Sequence, residues 1–183
     1  NDTLVVGAVG EDSNQTTITN GTTASSDNNN SNSGAVYVYK RTDTNWAQEA
    51  YIKHVNNDTE GDKCGYYGTV AISGDRLAVG CIFEDSNQTA VTQGTSASSN
   101  NSNLSSGAVY VYKRTGTTWA QEAYIKAKNN DTIDLRDHFN EFGRFDMDLS
   151  GDTLAVGAAY DDSNQSTITN GTSASTNKEY TQS

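Results

Sequence analysis

The sequence predicts an all-β protein made of tandem four-stranded antiparallel sheets, and three observations carry that expectation. The first is an internal repeat: residues 1–59 align without a gap on 74–132, with 41 of 59 positions identical. The second is that the apolar residues fall in short alternating runs, which is the pattern of half-buried strands. The third is the punctuation of those runs by Gly-Asp and other polar turn residues at matching places in each copy. Similarity this high over this length marks a repeated structural unit rather than shared composition.

The repeat fixes the order of elements. LVVGA at 4–8 recurs as LAVGC at 77–81 and LAVGA at 154–158. GAVYVYKRT occupies 34–42 and 107–115, and WAQEAYIK occupies 46–53 and 119–126. The units run 1–73, 74–150 and 151–183, with offsets of 73 and then 77 because the second copy carries extra residues between Thr132 and Gly143. The first unit lacks its opening strand and the third is cut after its second. In the complete unit an opening strand (70–73) is expected to reach a tight turn at Gly74-Asp75, and a second strand (77–81) to leave it. The third strand, 35–41, alternates Val36 and Val38 against Tyr37 and Tyr39. A three-residue connection at 43–45 then makes the fourth strand, 46–53, its antiparallel neighbour, with Trp46, Ala50 and Ile52 expected on one side. Tyr37, Tyr39, Trp46 and their copies Tyr110, Tyr112 and Trp119 read as packing residues. Gly34 and Gly107 are expected to serve turns, whereas Gly7, Gly80 and Gly157 lie inside strands and predict backbone crowding or a bulge. A four-stranded sheet of this size cannot bury both faces alone, so successive sheets are expected to cover one another.

Composition limits the partners. Twelve Lys and Arg against 23 Asp and Glu give a net charge of −11, which disfavours nucleic acid and anionic bilayers. No apolar stretch of 18 residues exists to insert in a membrane, and no basic leader opens the sequence, so if the protein is secreted its signal is expected outside these residues. Lys40, Arg41 and Lys53, with Lys113, Arg114 and Lys126, are expected to pair with acidic loops at the surface.

The pattern FG…LS-GD-TLAVGA…GAVYVY-R…W, most complete at Phe142-Gly143 and 149–158, resembles the FG-GAP repeats of integrin-type β-propellers and bacterial cell-surface proteins. The resemblance implies blade-like sheets of β-propeller type and an extracellular or cell-surface location. The middle copy departs from the pattern, with Cys64-Gly65-Tyr66-Tyr67 where Phe-Gly is expected and one residue inserted before Val70. Such propellers close with about seven blades, and fewer than three cannot form a ring. An incomplete ring is therefore expected: a segment of a larger propeller, or several chains completing one another, with a filament as one outcome.

Some family members hold calcium in an Asp-x-Asp-x-Asp-Gly hairpin, but here that place holds Ser73-Gly74-Asp75 and Ser150-Gly151-Asp152, too few oxygen ligands for the ion. The recurring acidic pairs Glu11-Asp12, Glu84-Asp85 and Asp161-Asp162 are the remaining candidates for calcium, and a locally hydrogen-bonded loop start is the alternative. Cys81 replaces the alanine of the other copies and Cys64 stands in place of Phe142, so both changes fall in one unit on neighbouring strands. That coincidence predicts a disulfide, with two buried thiols as the alternative. Simple hairpin register sets Cys81 opposite Gly68, so a bulge or bend must close the gap.

Polar inserts of more than 20 residues separate the second and third strands, and extended structure is permitted through Thr17, Ile18 and Thr19. They and neighbouring loops carry Asn-x-Ser/Thr sequons at Asn14, Asn20, Asn29, Asn57, Asn87, Asn100, Asn103, Asn130, Asn164 and Asn170, which are candidate glycosylation sites in a secreted chain. Catalysis has little support. His54 and His138 are unmatched between copies and read as loop or surface residues, and Asp134, Asp137 and Glu141 as part of a short turn or surface helix. The expected role is thus an extracellular structural or adhesive repeat protein, with a glycosylated filament component as one form of it, whose partners are copies of itself or further repeat units. The alternative is an integrin-like recognition module binding a cell-surface protein or glycan, with the divergent stretch 133–141 as its first candidate for contact.

Overall fold

The structure, a computed structural model, describes residues 2–58, 61–130, 141–159, 161, 163 and 165–174. It is all-β and antiparallel, with no sheet closed into a barrel. The first sheet contains β1 (Thr3–Ala8), β2 (Ile18–Asn20), β3 (Ala35–Thr42) and β4 (Asn45–Ile52), in the order β1-β3-β4-β2. The second contains β5 (Val70–Ser73), β6 (Arg76–Cys81), β7 (Val91–Gln93), β8 (Ala108–Thr115) and β9 (Thr118–Ile125), in the order β5-β6-β8-β9-β7. The third is the hairpin of β10 (Phe142–Ser150) and β11 (Thr153–Ala158).

The four repeated strands are where the sequence places them, and the insert adds a fifth. β2 and β7 leave the polar insert as three-residue strands and pair with the outer edges of β4 and β9. The β3–β4 turn is one residue tighter than expected. Thr42 pairs with Asn45, leaving a two-residue loop in which Asp43 takes φ +56°, and Gly116 takes φ +64° at the same place in the copy. Aspartate and glycine both tolerate that left-handed conformation, which explains the exchange.

A β-bulge changes which residues share a face. Val38 pairs with Ala50 but Tyr39 pairs with Gln48, so Glu49 is an extra residue; Glu122 is extra in the copy. Trp46 therefore lies with Tyr37, Tyr39 and Tyr51, opposite to Ala50 and Ile52, contrary to the alternation read from the sequence. Each full sheet thus has an aromatic front and an aliphatic back. Leu77, Val79, Tyr110, Tyr112, Trp119 and Tyr124 form the front of the second sheet, packed on Val36, Val38, Ala50 and Ile52 at the back of the first. Ala78 and Val109 at the back of the second sheet pack in turn against Met147, Leu154 and Val156 of the third.

Adjacent sheets are stitched by one crossing segment. Cys64 N–H donates to Ser33 O at 3.1 Å, behind the first sheet, while Gly65 N–H donates to Gly80 O of the second at 3.0 Å. The next junction repeats the stitch, with Phe142 N–H donating to Ser106 O at 3.1 Å and Phe142 paired with Ala158. The strand glycines exist for this approach: a Cβ on Gly7 would stand 2.2 Å from Gly65 O, and one on Gly80 would stand 2.5 Å from Gly143 O. Crowding accounts for Gly7 and Gly80. A Cβ on Gly157, by contrast, would meet only Phe145 O at 3.9 Å, and Gly157, like Gly80, faces an irregular excursion of the neighbouring strand.

The cysteines are joined in a Cys64–Cys81 disulfide. The expected bulge closes the gap: Cys64 pairs with Cys81 and Val70 with Val79, so six steps on one strand oppose two on the other. The third sheet makes the same excursion one residue shorter, with Phe142 opposite Ala158 and Met147 opposite Val156.

Candidate functional site

The first two inserts are each closed at the base by a buried ion pair. In the second unit Lys126 Nζ lies 2.6 Å from Glu84 Oε2 and 2.6 Å from Ser106 Oγ. Tyr124 OH donates to Glu84 Oε1 at 2.8 Å, and Ser86 N–H donates to Glu84 Oε2 at 3.2 Å. In the first unit Lys53 Nζ lies 2.8 Å from Glu11 Oε2 and donates to Gly34 O at 2.7 Å. Burial pulls both lysines below the ordinary amine value, opposed by Glu11 and Glu84 respectively. Burial and the neighbouring Glu84 push the Tyr124 phenol up. Lys53 and Lys126 were expected at the surface; they are buried, with side chains 0% exposed. The alternation of β4 and β9 could not reveal this, because the insert that covers them comes from elsewhere in the unit.

This arrangement occupies the acidic pairs considered for calcium. Glu11 and Glu84 face an ammonium group, and Asp12 Oδ1 accepts from Asn32 N–H at 2.7 Å, as Asp85 Oδ1 does from Ser105 N–H. Asp161 accepts from Ser163 N–H at 2.8 Å and from Asn129 Nδ2 at 2.5 Å, while Asp162 lies outside the described residues. At the first two pairs a lysine and backbone donors stand where a cation would need open oxygens.

The sequon asparagines fall into two classes. Asn57 donates both Nδ2 hydrogens, to Ser13 O and Gln15 O, each at 2.8 Å, and its Oδ1 accepts from Asn30. Asn130 repeats this on Ser86 O and Gln88 O, each at 2.7 Å, and accepts from Asn103 Nδ2 at 2.6 Å. Asn103 is 2% exposed. Asn20 holds the backbone of Trp119 between the sheets, accepting from its N–H at 2.8 Å and donating to its carbonyl at 3.3 Å. Asn14, Asn29, Asn87, Asn100 and Asn170 are exposed, and Asn164 lies outside the described residues.

The bulged glutamate builds a polar clasp at the rim of the first two sheets. Arg114 Nη1 meets Glu49 Oε2 at 2.9 Å, and its Nε donates to Asp75 Oδ1 at 2.9 Å. Trp119 Nε1 donates to the same Glu49 oxygen at 3.0 Å, and the Arg114 guanidinium lies 5.3 Å from the Trp119 ring centre. The bulge aims Glu49 across the gap. The first sheet carries the same front-face set without its partner. Arg41 is 5.7 Å from the Trp46 ring and pairs with Asp2 at 2.6 Å.

His54 corrects its sequence reading. It is 2% exposed, between sheets, with Nε2 against Asp62 Oδ2, Nδ1 3.1 Å from Cys64 Sγ, and its ring 5.6 Å from Tyr110. Donor atoms of His54, Cys64 and Cys81 lie within 4.8 Å of one another, but both sulfurs are consumed in the disulfide. The available signal was that Asp62, Cys64 and His54 all lie at the same junction and break the repeat together. His138, Asp134 and Asp137 lie outside the described residues; Glu141 is 3% exposed and pairs with Arg144.

Among the described residues no helix is long and apolar enough to cross a membrane, and the disulfide is compatible with an extracellular location. Comparison with protein-family models, curated proteins and solved structures finds no match to this chain.

Proposed function

We propose that this chain is an extracellular structural or adhesive repeat protein that works by stacking its sheets against further units of the same kind, carried by copies of itself. One observation supports this above the others: a front face that is sealed in one unit is open in its near-identical copy. Trp119 is 1% exposed and Leu77 0%, whereas Trp46 and Leu4 are each 49% exposed and Val6 42%. The internal junction defines the complement that the open face fits, an aliphatic sheet back with a glutamate and an asparagine on its rim. The crossing of Cys64-Gly65 and Phe142-Gly143 against strand glycines supports reading the sheets as propeller-type blades in an open array.

Sedimentation velocity of the full chain over a range of concentrations, with electron microscopy, tests the reading. Concentration-dependent association is expected, and lost in Trp46→Ala and in Arg41→Glu. A chain that stays monomeric at about 100 μM, far above the Kd expected of a specific interface, overturns it.

A further inference from the structure

The ten sequons of the inserts and neighbouring loops share one chemistry in sequence and two in structure. Joining a glycan to asparagine forms a bond from Nδ2 to the anomeric carbon of a phosphate-activated glycosyl donor. The anomeric C–O bond breaks, the phosphate departs with its electron pair, and Nδ2 gives up one proton. One N–H then remains where there were two, and a bulky polar group stands at the nitrogen.

Asn57 and Asn130 cannot accept that change within this fold. Each spends both Nδ2 hydrogens on carbonyls at the start of its insert, and the carbonyl oxygen of each also accepts from a second asparagine. A glycan would break at least one of those bonds and drive the insert off the sheet edge. Their triplets serve as clamps that hold the insert down.

Asn14 and Asn87 occupy one repeated place and present the opposite situation. Both are exposed, their threonines Thr16 and Thr89 are exposed, and neither side-chain amide makes a hydrogen bond among the described residues. The loop beneath each is tied by hydrogen bonds. Gln15 N–H donates to Ser13 Oγ at 3.1 Å and Gln88 N–H to Ser86 Oγ at 3.1 Å. The glutamine side chains reach on to Thr19 Oγ1 at 2.9 Å and Thr92 Oγ1 at 2.8 Å. The asparagine is thus held outward by its neighbours rather than by its own amide.

We infer that Asn14 and Asn87 are glycan acceptors, and that Asn57 and Asn130, with the same Asn-x-Thr triplet, are structural and carry none in the folded protein. The inference rests on the extracellular part of the proposed function, not on self-association. Its test is site occupancy by glycopeptide mass spectrometry on the folded full chain, secreted from a host that N-glycosylates. Glycan at Asn14 and Asn87 with bare Asn57 and Asn130 is expected. Asn14→Gln and Asn87→Gln should each remove one glycan mass and leave the melting curve unchanged. Asn57→Gln should leave the glycan mass unchanged and raise proteolysis within the first insert by roughly tenfold, the loss of about one to two hydrogen bonds. A glycan on Asn57 or Asn130 in folded protein overturns the inference, and so does bare Asn14 and Asn87. Sedimentation of the same material reports separately on stacking.

Discussion

The first and second sheets carry the same strands, AVYVYKRT and WAQEAYI, yet those strands meet opposite fates. In the second sheet the front face is sealed, Trp119 donates to Glu49, and Arg114 is 8% exposed. In the first sheet Trp46 is half exposed and Arg41 pairs with Asp2 of its own unit. Identical local sequence produced identical hydrogen bonding within each sheet, down to the bulge. The difference lies entirely at the level of packing. Burial of the tryptophan, leucine and arginine on this face is a property of the neighbour, whereas Tyr51 on the same face is 0% exposed without one.

Substitution of the paired tryptophans should separate the two faces most widely. Trp119→Ala is expected to cost about 3–5 kcal/mol in chemical denaturation, since it empties a packed site and leaves Glu49 without its indole donor. Trp46→Ala, measured at a concentration where the chain is monomeric, is expected to cost about 1 kcal/mol or less. Equal losses would mean that the two fronts are not distinguished by a neighbour.

The ion pairs under the inserts give the next contrast. Glu84→Gln leaves a buried ammonium with no counter-charge and should cost about 3–5 kcal/mol. Glu11→Gln should cost less, about 2 kcal/mol, because the Glu11 side chain is 13% exposed against 1% for Glu84. A larger loss at Glu11 would reverse the comparison.

The smallest effect is a pH response confined to one insert. Asp27 accepts from Asn14 N–H at 3.0 Å, Ser25 Oγ at 2.5 Å and Ser13 Oγ at 3.0 Å, and these donors hold its carboxyl well below the usual range. A depressed carboxyl contributes stability that is fully present above the ordinary value of about 4 and is lost as pH falls below it toward the folded value. The second insert has Asn100 at this place. Hydrogen exchange should therefore quicken in the first insert below pH about 4 while the second stays protected. Parallel behaviour of the two would exclude Asp27 as the cause.

Much of this was legible in the residues, and the failures share a cause. The strands, the Gly74-Asp75 hairpin, the crowded glycines and the disulfide all left local or copy-to-copy signals. Cys64 and Cys81 could be paired because both break the repeat in one unit. The bulge at Glu49 left none: its residue is an ordinary strand glutamate, the same in both copies, so comparing copies could not expose it. With the bulge unseen, Trp46 was assigned to the wrong face. His54 and Lys53 read as exposed in sequence, but their cover arrives from the next crossing segment and from the insert. Such long-range cover has no periodicity to read. The sequons failed to separate for a related reason, since a triplet reports chemistry at one residue and not which carbonyls its amide has already taken.

The two unlike sides of each sheet have a consequence for any array built from it. A unit with matching sides could be added either way round, and a row of such units would have no head or tail. At the junction of the first two sheets the aromatic side meets the aliphatic one, with Glu49 and Asn20 at its rim. Every unit added in this manner points along the same axis, and the growing row always offers the same two ends to the next arrival.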